Sequence, residues 1–269
     1  MSKAVVTRYT VDSGLHLSRP VRIAHVSDMH ERPCDDILAL IRREKPDLIM
    51  ITGDTFERYD NRPQYEMEHR PIKRLIVTLI HYANFLLTKL LPKKDKANIE
   101  NVKRFLEGAT ELAPVYMSLG NHEQQLIDDD YILLGKLGVT LLDNADTPVQ
   151  VRDFSFILGG MSVWDYEEWL PTYLDKSGYK LLMCHRPNEY FDHIEDSDVD
   201  LTLSGHTHGG QIRIGKKGRG FFVPGQGVFG RFAHGRFSDG RLIISAGCSN
   251  TAACPRWFNP RELVITEVK

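Results

Sequence analysis

Five short groups of metal-capable side chains punctuate this sequence: Asp28-Met29-His30, Gly53-Asp54, Gly120-Asn121-His122-Glu123, Met183-Cys184-His185 and Gly205-His206-Thr207-His208. Asp, His and Asn supply oxygen and nitrogen donors of intermediate hardness. They suit Mn, Fe, Zn or Co better than they suit a thiolate zinc site or an all-oxygen calcium cage. Asp28, His30, Asp54, Asn121, His185, His206 and His208 make seven ligands, too many for one catalytic ion that must keep an open position. Seven can serve two ions when one carboxylate bridges them. Two ions roughly 3.5–4 Å apart are a general device for clamping a phosphoryl centre and activating a water.

One loop histidine or one strand-end aspartate would carry no such meaning; the repetition does. Each group follows a short apolar run, Val21–Val26, Leu48–Ile51, Val115–Met117, Leu181–Cys184 or Leu201–Leu203. Such runs read as buried strands, so the donors are expected along one edge of a sheet. Asp28 and His30 are two apart, so on an extended strand exit both face one ion, and the same holds for His206 and His208.

The elements between the groups follow from periodicity and punctuation. Residues 5–26 read as two strands around Asp12-Ser13-Gly14. Asp35 or Asp36 is expected to cap a helix running to about Glu44, which Lys45-Pro46-Asp47 stops before the strand to Asp54. That βαβ unit implies parallel strands. Helices are further expected at Asn98–Leu106, at 128–137 and at Trp164–Leu174, the last interrupted by Pro171. Val139–Leu142, Val149–Val151, Phe154–Leu158 and a final Glu262–Glu267 read as strands, and from Gly209 onward the texture is of glycine-rich hairpins. Two β-rich halves with intervening helices predict a sheet-on-sheet core covered by helices, in one domain over 1–269.

A length of 269 residues at 42% hydrophobic content is enough for one sizeable core. The formal charge of −2 gives no global attraction to nucleic acid and disfavours a phosphate-backbone binder. Cys34, Cys184, Cys248 and Cys254 form no CxxC pair. Cys184 is expected as a reduced, buried thiol, with a small chance that Cys248 and Cys254 bridge. The first 25 residues hold no apolar run of signal-peptide length, so a cytoplasmic location is expected.

The order Asp-x-His, Gly-Asp, Gly-Asn-His-Glu, His and Gly-His-x-His resembles the calcineurin-like metallophosphoesterases, from about Val21 to the end. That resemblance implies an α/β fold, a four-layer αββα sandwich of two mixed β-sheets flanked by helices, with a dinuclear centre at the sheet ends. Carried over position by position, it implies that Asp28, His30 and His208 hold a first divalent ion (Mn, Fe or Zn) and that Asp54 bridges. Asn121, His185 and His206 would complete the second. His122 matches the family's non-ligand histidine near the leaving group, the implied proton donor. The implied reaction is hydrolysis of a phosphodiester or pyrophosphate by a hydroxide shared between the ions. Arg186, beside His185, is a candidate phosphate contact.

A closer likeness is to the bacterial YkuE/YaeI-like subgroup. It rests on the run Leu203–Ile212 and the tail Ala246–Glu262, where Arg261 replaces a usual Pro. Some proteins of that kind cleave the pyrophosphate of UDP-diacylglucosamine, which implies a lipid-linked substrate; a cyclic nucleotide or another soluble phosphodiester is the alternative. Protein phosphatases of the family carry extra arginines near these motifs. Here Arg58 is the one candidate, and a protein substrate is disfavoured. A non-catalytic scaffold would lack a ligand or His122, and neither is lacking. No partner protein is implied.

Two segments stand apart from the metal motifs. An insert at about 56–100 contains a run at 72–91 that is uncharged from Leu75 to Thr88 and flanked by Lys and Arg. It is short of the ~20 apolar residues of a spanning helix. It reads as a packed helix, as a helix lying on an anionic membrane surface on the inner face of the membrane, or as a cap over the site. The basic loop Gly215–Gly220 reads as a hairpin turn with solvated charges, with a phosphate contact as the less favoured alternative.

Overall fold

The computed structural model describes residues 3–58, 79, 82, 97–213, 215, 219–252 and 255–269. Most of the insert, including nearly all of 72–91, therefore lies outside the described residues. Among the described residues no helix is long and apolar enough to cross a membrane.

Two six-stranded sheets face each other. The first runs in the order β1 (Ala4–Val11), β14 (Arg261–Val268), β2 (Val21–Val26), β3 (Leu48–Thr52), β4 (Val115–Ser118), β5 (Thr140–Leu142). β2 to β5 are mutually parallel, and β14 enters antiparallel to β2 and parallel to β1. The second runs β12 (Gly235–Phe237), β13 (Leu242–Ile244), β9 (Leu201–Ser204), β8 (Lys180–Cys184), β7 (Phe154–Met161), β6 (Ala145–Val151). Its centre is parallel and both its outer pairs are antiparallel. β10 (Phe222–Val223) and β11 (Gly227–Val228) form a separate antiparallel hairpin.

Period-two alternation sorts the apolar side chains into layers. Ile23, Leu48, Met50 and Val264 of the first sheet meet Phe156, Leu158, Leu181, Met183, Leu201 and Leu203 of the second in the central layer. The intervening residues Ala24, Val26, Ile49 and Ile51 face outward onto α1 (Asp35–Glu44) and α2 (Ile99–Thr110) through Ile37, Ile41, Phe105 and Leu106. Leu134 of α3 (Asp128–Leu137) joins them. Leu182 and Cys184 face Leu170 and Tyr173 of α4 (Trp169–Leu174) and the helical turn holding Tyr190 and Ile194. This is the expected αββα sandwich. Strands buried on both faces explain why their sequences read as unbroken Val/Ile/Leu runs.

Two local expectations need correction. Cys34, not Asp35 or Asp36, sits at the N-cap of α1; the two aspartates occupy the first turn, where their charge complements the helix dipole. Asp36 is instead paired with Arg261 from β14, which gives the departure from the usual Pro a structural role. The helix expected from Trp164 begins only at Trp169. Asp165 has φ 54, and the Trp164 carbonyl accepts bonds from Asn144 Nδ2 at 2.6 Å and Ser162 Oγ at 2.7 Å. Pro171 then falls in the first helical turn, where a missing N–H is tolerated. Cys34, Cys184 and Cys248 are buried free thiols, so Cys248 forms no bridge.

Candidate metal centre

All five groups emerge at carboxyl ends of parallel strands, but not along one edge of one sheet. β2, β3 and β4 of the first sheet lead to Asp28, Asp54 and Asn121, while β8 and β9 of the second lead to His185 and His206. The site lies between the two facing edges.

The exits are not extended. Asp28, His30, Asp54, His206 and His208 have φ of 57, 52, 54, 69 and 47, in the left-handed region that side chains with a Cβ rarely occupy. The bends turn each side chain back across the sheet ends. Gly53 is required there: at φ 76, a Cβ would come within 2.4 Å of the Gly120 backbone nitrogen.

The donors form two groups that share Asp54. In one, ligand atoms of Asp28, His30, Asp54 and His208 all lie within 4.8 Å of one another; in the other, those of Asp54, His185 and His206 do. His30 Nε2 is 3.2 Å from His208 Nε2 and 3.6 Å from Asp54 Oδ2, and His208 Nε2 is 3.6 Å from Asp28 Oδ1. His185 Nε2 is 3.2 Å from Asp54 Oδ2. Asp28 and His30 thus face the same point, as expected from their spacing. His206 and His208 do not: the left-handed turn between them sends one to each group.

The donor chemistry fits divalent cations. His185 Nδ1 is 2.6 Å from the Thr52 carbonyl, which fixes the proton there and leaves a lone pair on Nε2 against the Asp54 carboxylate. Asn121 Oδ1 is buried without a hydrogen-bond partner. An imidazole lone pair facing a carboxylate oxygen at 3.2 Å repels it unless positive charge lies between. Burial alone would depress the His185 imidazole, yet the adjacent Asp54 raises it to about 9, so a proton is drawn to the place a metal would take. His206 is held well below the ordinary histidine value by burial and by the charges of His185 and Arg186, which together outweigh the opposing pull of Asp54. Arg186 therefore lies close enough to His206 to act on it.

Two acidic residues with no role read from the sequence organise this centre. Glu57 stands between two rings, with Oε1 2.9 Å from His30 Nδ1 and Oε2 3.0 Å from His122 Nδ1. Although burial opposes its ionisation, these two hydrogen bonds bring it down to about 2. Glu123 accepts backbone N–H bonds from Asp54 at 2.8 Å, Phe56 at 3.0 Å and Gly120 at 2.6 Å, and another from Thr55. One carboxylate thereby ties the loop after β3 to the loop after β4. Its charge form is disfavoured by burial and by neighbouring Asp54. Arg58 is held by Glu31 at 2.6 Å and by Asp130 at 2.8 Å, so its guanidinium is committed to structure.

The tail adds a third support. Asn259 Oδ1 accepts from Arg256 Nη2 and Arg213 Nε, both at 3.1 Å, which fixes the amide so that Nδ2 donates to the His208 carbonyl at 2.7 Å. Arg256, whose guanidinium burial pulls down to about 10, also donates to the carbonyls of Ala246, Gly247 and Ser249. Gly247 packs against Asp28, where a Cβ would come within 2.8 Å of Asp28 Cβ.

With this arrangement described, its class is established by comparison. Residues 21–210 match the family model for calcineurin-like phosphoesterases, and the chain belongs to that family. It is 29% identical over 206 residues to the Bacillus subtilis protein YpbG, covering 74% of this chain and 65% of that one. It is 25% identical over 228 residues to the Escherichia coli phosphodiesterase YaeI, covering 80% of this chain and 68% of YaeI. With the Bacillus subtilis metallophosphoesterase YkuE it shares 23% over 259 residues, 91% of this chain and 76% of that one. The chain thus spans somewhat less than two thirds of YpbG, and the expected kinship with YkuE and YaeI holds.

Proposed function

We propose that the protein is a dinuclear metal-dependent phosphoesterase acting on a phosphodiester or pyrophosphate bond. The observation that carries this reading is the pair of donor groups meeting at Asp54. Asp28, His30, His208 and Asp54 would hold one divalent ion; Asp54, Asn121, His185 and His206 would hold the other. Bound ions of this kind supply Lewis-acid stabilisation of phosphoryl oxygens and an activated water as nucleophile.

The remaining residues are placed to position and protonate. His122 is fixed through its backbone N–H on Asp54 Oδ1 at 2.9 Å and its Nδ1 on Glu57, which leaves Nε2, 3.9 Å from Asp54 Oδ2, directed at the shared space. With its side chain 25% exposed, it can reach a leaving-group oxygen and donate a proton to it. Arg186 is proposed as a contact for a phosphoryl oxygen. A lipid-linked substrate such as UDP-diacylglucosamine is the finer proposal, supported by the likeness to the YkuE/YaeI-like subgroup. Contact with an anionic membrane through 72–91 belongs to the same reading.

The direct test strips the protein of metal, reloads it with Mn and follows hydrolysis of bis-p-nitrophenyl phosphate. Turnover that appears on reloading, with two ions bound per chain, is expected; a chain that binds no divalent ion overturns the reading. His122→Ala should keep both ions and lose about 10²–10⁴-fold in rate on esters with poor leaving groups, much less on nitrophenyl esters. Equal losses on both would remove His122 from the proton-donor role.

A further inference from the structure

The glycine-rich segment and the tail meet in an exposed aromatic ledge beside the metal centre. Its strips are joined by backbone hydrogen bonds: Arg213 N to Trp257 O at 3.1 Å, Phe221 N to Ile212 O at 2.8 Å, Phe229 N to Phe221 O at 2.9 Å and Gly220 N to Gly230 O at 3.1 Å. Phe229, Trp257 and Phe258 project from it with 60%, 57% and 87% of their surface exposed. Among the described residues no other Phe or Trp is exposed.

Local stability does not account for these rings. Phe229 and Phe258 have φ of 58 and 55, where a bulky residue is strained and glycine is not. Phe229 keeps one edge-to-face contact, its ring centroid 5.7 Å from that of Phe221, and beyond it the two rings bury little surface to offset the strain. Exposed aromatic groups gathered on one surface mark a place where something apolar is met.

Charge identifies the partner. From Gly209 to Phe237 and from Ala246 to Arg261 the sequence holds no Asp or Glu, although the whole chain carries a formal charge of −2. Arg219 and Arg231 are exposed next to the ledge strips. Asp192 of a neighbouring element lines the same hollow as Phe229 and Arg231, but the two segments themselves carry aromatic rings interspersed with cations and no acid. That composition matches the headgroup region of an anionic bilayer, where rings enter the interface and arginines meet lipid phosphates.

We propose that this ledge docks on an anionic lipid bilayer and sets the metal centre at the depth of the headgroup phosphates. The link to the centre is short. Gly210, two residues beyond His208, packs so closely on the ledge that a Cβ would come within 2.3 Å of Gly220 Cα. Asn259, directly after Phe258, holds the His208 carbonyl at 2.7 Å. The proposal goes beyond the hydrolytic reading and uses residues separate from the 72–91 segment.

The test is co-sedimentation of the full chain with vesicles of phosphatidylcholine alone and of phosphatidylcholine mixed with phosphatidylglycerol. Wild type should bind the mixed vesicles at least about tenfold more tightly. The combined variant Phe229→Ser, Trp257→Ser, Phe258→Ser should lose about tenfold or more of that binding. Arg219→Glu with Arg231→Glu should lose the preference for phosphatidylglycerol without touching the rings. Failure of wild type to bind, or unchanged binding by both variants, overturns the proposal. So does a wild-type dimer in size-exclusion chromatography that the serine variant dissociates, since the ledge would then meet a second copy. Because metal-dependent hydrolysis of bis-p-nitrophenyl phosphate is read separately in solution, failure here leaves the hydrolytic reading standing, and the reverse.

Discussion

Asp54→Asn is expected to lower turnover by about 10²–10³-fold and to reduce the bound divalent ions from two to at most one. The carboxylate belongs to both donor groups, and its Oδ2 faces His30 at 3.6 Å and His185 at 3.2 Å. Asparagine keeps the shape and an Oδ1 acceptor for the His122 N–H, so the loop should stay in place. What it removes is the negative charge between two cations, and loss of one such preorganised electrostatic group typically costs two to three powers of ten. Metal content and turnover, measured on the same preparation, check this. Two tightly bound ions together with wild-type rate would show that Asp54 does not bridge.

Glu123→Ala should destabilise the protein by roughly 4 kcal/mol or more and weaken metal binding at the same time. Four backbone N–H groups, from Asp54, Thr55, Phe56 and Gly120, end on this one buried carboxylate. Each buried donor left without a partner costs about 1–3 kcal/mol. Removal of the charge relieves its repulsion with Asp54, which offsets part of that sum and keeps the expectation near the lower end. With a denaturant slope of about 1–3 kcal/mol per molar urea, the midpoint should fall by more than one molar. A midpoint within experimental error of wild type would mean that water replaces the carboxylate without penalty.

The candidate donors that the structure brings together were legible because their identity depends on residue type and position in the chain. Buried runs such as Leu48–Ile51 and Leu201–Leu203 announced strands, and a donor one to four residues past each run had to emerge at a sheet end. The path of the chain after the strand was not legible. A two-residue spacing says the same of Asp28 and His30 as of His206 and His208, yet only the first pair shares a group, because a left-handed turn at φ 69 and 47 separates the second. Assignment of strands to two facing sheets likewise depends on pairing between distant segments, and single runs do not encode it.

Glu57 and Glu123 escaped for a related reason. A carboxylate that accepts from two imidazoles, or from four amides on two loops, gets its role from convergence in space; Glu123 stood inside the Gly-Asn-His-Glu motif, yet that motif does not say which amides it meets. The same is true of Asn259, whose amide is oriented by Arg213 and Arg256 before it reaches His208. At Trp164–Leu174 the end of the helix fell where expected despite Pro171, and the start moved to Trp169 because the chain turns at Asp165.

The split of the donors between two sheets has a mechanical consequence. Asp28 and Asp54 belong to one sheet, His208 and His185 to the other, and they approach across the gap at 3.6 and 3.2 Å. Any cation seated between them is a rivet through both plates of the sandwich. Sliding or splaying of one sheet against the other then breaks coordination bonds as well as apolar contacts. A cation held there would therefore resist shear between the sheets at the edge where the donors meet.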